Sequence, residues 1–335
     1  MRIAVIGGGN GAYAAAADLT ERGHEVRLWR RDAQALAASK TLSLKDADGE
    51  RRVCMPDPAF TQLDNARRVA PNLADGQVVF FAPGTFGSYI VAQAVRDSGN
   101  RADVAYAETG TLPWLTRKHG PTTAAITARA TRLPTGVYPA RHADRALGVI
   151  RRAFAGIEPV EDALSAALMN AGPILHPPLI LMNAGPLEHF ERWDIHKEGT
   201  QPAIRRVTDA LDAERVTARQ KLGYRAPHFP LADHYRTDGD EWMYGRRVHK
   251  KLTDSQDWRE HISLTEHRYM REDVEHGLAF LVSVCEWAGV PCPVARGLLA
   301  LGSAVFGRDL RMAGRTLESL GLASLTPAQL KERLV

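Results

Sequence analysis

Over roughly the first 150 residues, short apolar runs alternate with Ala-rich stretches of helical character. Four runs stand out: Arg2–Ile6, His24–Arg30, Gln77–Ala82 and Val104–Glu108. Strands alternating with helices predict a doubly wound, mostly parallel α/β sheet. Beyond about residue 160 the strand texture ends. Helical patterns then succeed one another at Glu161–Met169, Pro177–Glu191, Pro202–Leu222, Tyr269–Ala288 and Pro293–Val305. A last helix is announced by Thr326-Pro327-Ala328-Gln329, where a hydroxyl N-cap, an N1 proline and a capping-box glutamine stand in order. The pattern predicts an α/β domain over residues 1–158 and an all-α domain over residues 159–335.

Composition narrows the class. With 335 residues, 44% apolar and 24% charged, the chain reads as an ordinary globular protein of two domains. The formal charge of +4 is dispersed, with no run of five like charges, so nucleic acid and membrane are not expected partners. Cys54, Cys285 and Cys292 have neither metal-ligand spacing nor the look of a disulfide framework. Glycines interrupt Met1–Leu19, which argues against a signal peptide. No stretch is expected to reach the ~18–20 apolar residues of a membrane span, Leu278–Val290 coming nearest. These readings lead to a cytoplasmic expectation.

The first apolar run leads into Gly7-Gly8-Gly9-Asn10-Gly11-Ala12, in which Gly7-x-Gly9-x-x-Ala12 fits the dinucleotide fingerprint. Gly7 permits the tight turn, Gly9 lets the backbone approach a pyrophosphate, and Ala12 allows helix and strand to pack closely. The pyrophosphate then meets the free N–H groups of the helix N-terminus. The context required of this motif (strand, turn, helix, second strand) is complete. At the end of the second strand, where an NAD enzyme carries an acid for the ribose, Arg30 and Arg31 stand instead. Guanidiniums there suit a 2′-phosphate, so NADP(H) is favoured over NAD(H), with solvated surface charge as the alternative.

At this point the chain resembles the opine dehydrogenases, the octopine/nopaline dehydrogenase family. The likeness rests on Gly7–Ala12, Ala82-Pro83-Gly84 and Glu108-Thr-Gly-Thr-Leu-Pro-Trp114, and then on Asn170-Ala-Gly-Pro-Ile-Leu-His176-Pro-Pro. It continues through Arg268-Tyr-Met-Arg-Glu272-Asp273-Val and Gly314–Gly321. The resemblance implies a Rossmann domain followed by a helical domain of the 6-phosphogluconate dehydrogenase C-terminal type. It also implies reductive condensation of a 2-oxo acid with an amino acid at the expense of NADPH or NADH. Carried over, His176 is the catalytic histidine, Asp273 its partner, Arg268 the substrate-carboxylate ligand, and Pro83 a cofactor contact. A homodimer stands among the expectations. One departure is visible. Arg51–Met55 runs directly into Pro56-Asp-Pro-Ala-Phe60, so the first domain lacks about one strand-and-connection unit of ~30 residues.

The residues have readings of their own. Pro177-Pro178 suit a first helical turn, which would put the His176 ring near a helix N-terminus and disfavour its charge. A carboxylate on one ring nitrogen would counter this and give an acid–base group working near neutrality. With twelve histidines in the chain, His176 without the family likeness reads first as a packed or surface residue. Asp273 heads a stripe with Gly277, Phe280, Leu281, Val284 and Ala288, a costly place for a carboxylate unless it is paired. Pairing with Arg268 or Arg271 is the competing account. His189 and His196, or His261 and His267, are too loosely spaced for a metal. Two other functions remain open: a two-domain dehydrogenase acting on a hydroxy acid or simple imine, and a non-catalytic cofactor sensor.

Overall fold

Strand β1 (Arg2–Ile6) pairs in parallel with β2 (Glu25–Trp29), joined by helix α1 (Asn10–Glu21). The computed structural model describes residues 1–29, 41–54, 67, 69–246, 248–255 and 257–335. The remaining strands of this half are β3 (Thr41–Asp46), β4 (Gly49–Cys54), β5 (Val78–Phe81), β6 (Ala105–Thr109), β7 (Trp114–Lys118), β8 (Thr123–Arg129), β9 (Leu133–Tyr138) and β10 (Ile157–Pro159). They form two four-stranded sheets, ordered β10-β9-β6-β5 and β4-β3-β8-β7. Pairing is parallel in β5–β6, β9–β10 and β3–β8, and antiparallel in β6–β9, β3–β4 and β7–β8.

Helix α1 explains the arrangement around the N-terminus. It buries Tyr13, Ala14, Ala16, Ala17 and Leu19, more than a single face. Small side chains let a helix be covered on two sides. Val26 and Leu28 of the β1–β2 pair and Leu42, Leu44, Trp114 and Ile126 of the second sheet share its core. The other edge of β1 is different. Among the described residues no strand pairs with it, and Ile6 is 46% exposed. In a doubly wound sheet the fourth strand lies beside the first.

Among the described residues the first half also holds helices α2 (Gly87–Asp97) and α3 (Ala143–Arg151). The second contains α4 (Ala163–Ala167), α5 (Gly172–Met182), α6 (Ala184–His189), α7 (Pro202–Lys221) and α8 (Val248–Asp254). Helix α9 follows, π-helical over Tyr269–Leu278 and α-helical over Ala279–Trp287. Then come α10 (Pro293–Phe306), α11 (Leu310–Ala313) and α12 (Pro327–Leu334). The Thr326–Gln329 capping box of α12 is formed in both directions. A two-residue antiparallel bridge, Trp193–Asp194 with Glu260 and Arg259, interrupts the otherwise helical texture.

Two expectations need correction. The helix expected from Pro177 begins five residues earlier at Gly172, with Pro173 in its first turn and Pro177 and Pro178 inside it. His176 is thus a mid-helix residue, and the argument from a helix N-terminus does not apply to it. Second, residues 163–182 do have the length and apolarity of a membrane span. They are mostly buried and divided between α4 and α5, as suits core helices of a folded domain.

Candidate active site

Helices α5 and α9 cross at two glycines. A Cβ on Gly172 would lie closer than 3.0 Å to Asp273 Oδ1, and one on Gly277 closer than 3.0 Å to Pro173 Cγ. This close approach sets His176 of α5 against Asp273 of α9. His176 Nδ1 and Asp273 Oδ2 are 2.7 Å apart, and both side chains are only 11% exposed. An ionised carboxylate can only accept, so Nδ1–H donates and Nε2 is the nitrogen left for chemistry. The π-helical geometry around Asp273 is the kind of irregularity found at functional sites. No ion pair joins Asp273 to Arg268 or Arg271 among the described residues; Arg271 pairs with Glu266 instead.

The ring of His176 stacks on Tyr269, with centroids 3.6 Å apart and an interplanar angle of 11°. The Tyr269 hydroxyl meets His196 Nε2 at 2.9 Å, and His196 packs edge-on against Trp258. Burial lowers the His176 pKa below its ordinary value, while Asp273 works in the opposite direction. Burial also holds His196 well below the ordinary histidine range. The balance at His176 therefore falls on the neutral side of the near-neutral acid–base behaviour expected from sequence. The physical cause is desolvation between packed helices.

His176, Asp273 and Arg268 line one cleft of about 330 Å³. Arg268, immediately before α9, keeps its Nε buried without a hydrogen-bond partner. Burial works against its charge, but Tyr269, Asp273, Glu272 and Glu260 outweigh it and raise its pKa. A charged, underused guanidinium in a cleft is suited to gripping a carboxylate. Leu231, Trp242, Tyr244 and Trp258 supply an apolar wall.

Pro83 lines the same cleft, within the turn Ala82–Thr85. That turn is clamped from three directions. Glu108 Oε1 and Oε2 accept the Phe86 and Ser88 N–H groups at 2.7 and 3.0 Å. Arg315 Nη1 donates to the carbonyls of Gly84 and Thr85. Asn170 Nδ2 donates to Thr85 Oγ1 at 2.6 Å, and its Oδ1 accepts from Gly172 N at 3.0 Å. Thr85 and Phe86 both have positive φ, 47° and 66°, a strained conformation that the clamps sustain. Tyr269, His196, Asn170 and Arg315 were not foreseen as site residues. Asn170, Tyr269 and Arg315 lie inside the family-like segments; His196 has no local signal and reaches the site only through the fold.

The glycine turn Gly7-Gly8-Gly9-Asn10-Gly11-Ala12 links β1 to α1 as predicted. Gly7 has φ +143° and a Cβ there would touch Ala12; at Gly9 a Cβ would have no neighbour within 4 Å. Helix α1 has no side-chain cap and no acid in its first turn. Its N–H groups and the open space at Gly9 fit a pyrophosphate. A Cβ on Gly11 would stand 3.9 Å from Leu112 Cδ2, and Leu112 lines the cleft, so turn and cleft adjoin. Arg30 and Arg31 lie outside the described residues.

Comparison with known proteins bears on the fold and the family. Residues 159–306 match the family model of the NAD/NADP octopine/nopaline dehydrogenase alpha-helical domain. An opine dehydrogenase of Arthrobacter sp. (strain 1C) is 26% identical over 360 residues, covering 98% of this chain and 97% of that protein. A vitopine synthase of Allorhizobium ampelinum is 28% identical over 188 residues, covering 52% of this chain and 48% of that protein. Among solved structures, an octopine dehydrogenase in complex with NADH and agmatine superposes with a TM-score of 0.68 at 16% identity. It is covered over 97% of its length and this chain over 98%. A yersinopine dehydrogenase with NADP+ bound gives 0.63 at 17% identity, covering 99% of this chain and 98% of its own. These likenesses show the fold, a Rossmann domain followed by a helical domain.

Proposed function

We propose that this chain, which belongs to the opine dehydrogenase family, joins a 2-oxo acid to the amine of an amino acid and reduces the resulting imine. The observation that carries the proposal is the His176–Asp273 pair on the wall of a cleft that also holds Arg268. The relatives' names support the reaction class, CH–NH oxidoreduction. Residues 1–158 hold the cofactor and residues 159–335 supply the acid–base and substrate-binding groups. When bound, the reduced nicotinamide supplies the hydride. NADPH is favoured over NADH because Arg30 and Arg31 follow Trp29 in the sequence, where the ribose-binding acid of an NAD enzyme would stand.

Arg268 grips a substrate carboxylate and orients the carbonyl carbon toward the cofactor side of the cleft. Amine addition and loss of water give the imine. His176 Nε2 delivers the proton that releases the hydroxyl as water, recovers a proton from the iminium N–H this leaves, and returns it to the nitrogen as hydride reaches carbon. Asp273 holds the ring in the Nδ1–H tautomer and stabilises the imidazolium. The neutral balance at His176 fits this order. An arriving carboxylate anion raises its proton affinity, so the acid is loaded when substrate is present.

The test follows NADPH and NADH consumption with pyruvate and a panel of amino acids, each pair compared with either partner alone. The expected result is turnover only with both partners and faster with NADPH at subsaturating cofactor. Turnover with the oxo acid alone identifies a hydroxy-acid dehydrogenase. Consumption of neither cofactor under any pairing rejects the proposal.

A further inference from the structure

Strand β7 ends on the glycine turn. Lys118, its last residue, donates its backbone N–H to Asn10 Oδ1 at 3.1 Å and its Nζ to the Gly8 carbonyl at 2.9 Å. The ammonium also lies 4.9 Å from the Tyr13 ring centroid, so the side chain is laid along the first turn of α1. The residue is exposed. A cation beside the positive end of a helix is disfavoured. A pyrophosphate seated on the turn converts that repulsion into attraction to both helix end and ammonium.

We propose that Lys118 is a cofactor-binding residue, its ammonium held at Gly8 so as to neutralise the pyrophosphate common to NADH and NADPH. The inference rests on the dinucleotide reading of the glycine turn. It differs from the role given to Arg30 and Arg31, which concerns only the 2′-phosphate. The motif itself cannot reveal Lys118, because 108 residues separate it from Asn10. The β7–β8 hairpin brings it there by packing on the flank of α1.

Calorimetric titration of Lys118→Ala, Lys118→Gln and Lys118→Arg with NADH, NADPH, ADP-ribose and nicotinamide mononucleotide tests the proposal without turnover. Losing one charge-assisted contact should weaken the first three ligands by roughly tenfold each in the Ala and Gln variants. Lys118→Arg should retain most of the affinity, and the mononucleotide, which has no pyrophosphate, should be unaffected. Melting temperatures should stay at the wild-type value, since the side chain is exposed. Unchanged affinities, or a loss confined to NADPH, overturn the proposal while leaving the dinucleotide reading intact. If wild-type protein binds neither NADH, NADPH nor ADP-ribose, the dinucleotide reading falls and this inference with it.

Discussion

Gly172→Ala isolates the dyad from the packing that surrounds it. Neither Gly172 nor Gly277 has a positive φ, so alanine is sterically admissible for the backbone at both. What differs is the atom each new methyl would strike. At Gly172 it is Asp273 Oδ1, the movable end of a side chain; at Gly277 it is the ring of Pro173, fixed in the first turn of α5. A carboxylate can swing away at little steric cost, and helical Ala over Gly returns up to ~1 kcal/mol. The swing, however, breaks the 2.7 Å bond to His176. A proline ring in a packed crossing cannot swing, and overpacking there costs ~1–3 kcal/mol. Gly172→Ala should therefore keep its melting temperature while kcat falls on the order of 10²-fold, the lower end for an acid–base unit. Gly277→Ala should show the reverse, a lower melting temperature with kcat per folded molecule largely kept. Thermal melts and steady-state cofactor oxidation on the folded fraction decide the matter. Parallel losses in both variants, or an unchanged kcat in Gly172→Ala, would refute the reasoning.

Three further outcomes are expected. Asp273→Asn removes the influence that raises the His176 pKa, so that pKa should drop further. Imine reduction needs the protonated ring, so its rate should be lost at lower pH than in wild type; the double variant with His176→Asn should be little worse than either single one in kcat, as for members of one catalytic unit. Arg268→Ala should raise the substrate KM with cofactor affinity unchanged, a loss on the order of 2–5 kcal/mol for a buried charged partner, read from initial rates and cofactor titration. Acid should destabilise the fold. Burial lowers the His234 pKa from its ordinary 6.5 to about 3, so the unfolded chain binds this proton first. Stability contributed by the neutral ring is complete above pH 6.5 and decreases as pH falls, by about 1.4 kcal/mol per unit for one such group. Denaturant midpoints measured at pH 7 and pH 5 report this directly.

The parts of the structure that sequence made legible are those written in local pattern. β1 is found over the residues expected, and the capping box of α12 forms as read, because both depend on neighbouring residues only. The carboxylate at the head of the α9 stripe is buried and paired as its burial demanded, but its partner, 97 residues away, was named through family likeness and not by periodicity. β7 and β8 escaped notice because Thr, Arg and Lys interrupt their apolar residues, and their stability comes from packing on α1. The start of α5 was displaced by Pro177-Pro178, a strong first-turn signal that tertiary packing overrides. Nor does any 3.6-residue stripe announce a π-helix; its buried set over Tyr269–Leu278 includes Met270, Val274 and Glu275 besides Asp273 and Gly277. The abrupt junction after Arg51–Met55 is legible in the sequence, and residues 55–66, which follow it, lie outside the described residues.

Deuteride transfer tests the central claim most directly. Protein incubated with cofactor deuterated at the hydride position, pyruvate and a responsive amino acid is analysed by mass spectrometry and proton NMR. Imine reduction predicts one deuterium on the carbon of the former oxo group, now bonded to a secondary amine nitrogen, with wild-type protein and at a strongly reduced rate with His176→Asn. Deuterated lactate formed whether or not the amino acid is present, with no secondary amine product, would contradict the account.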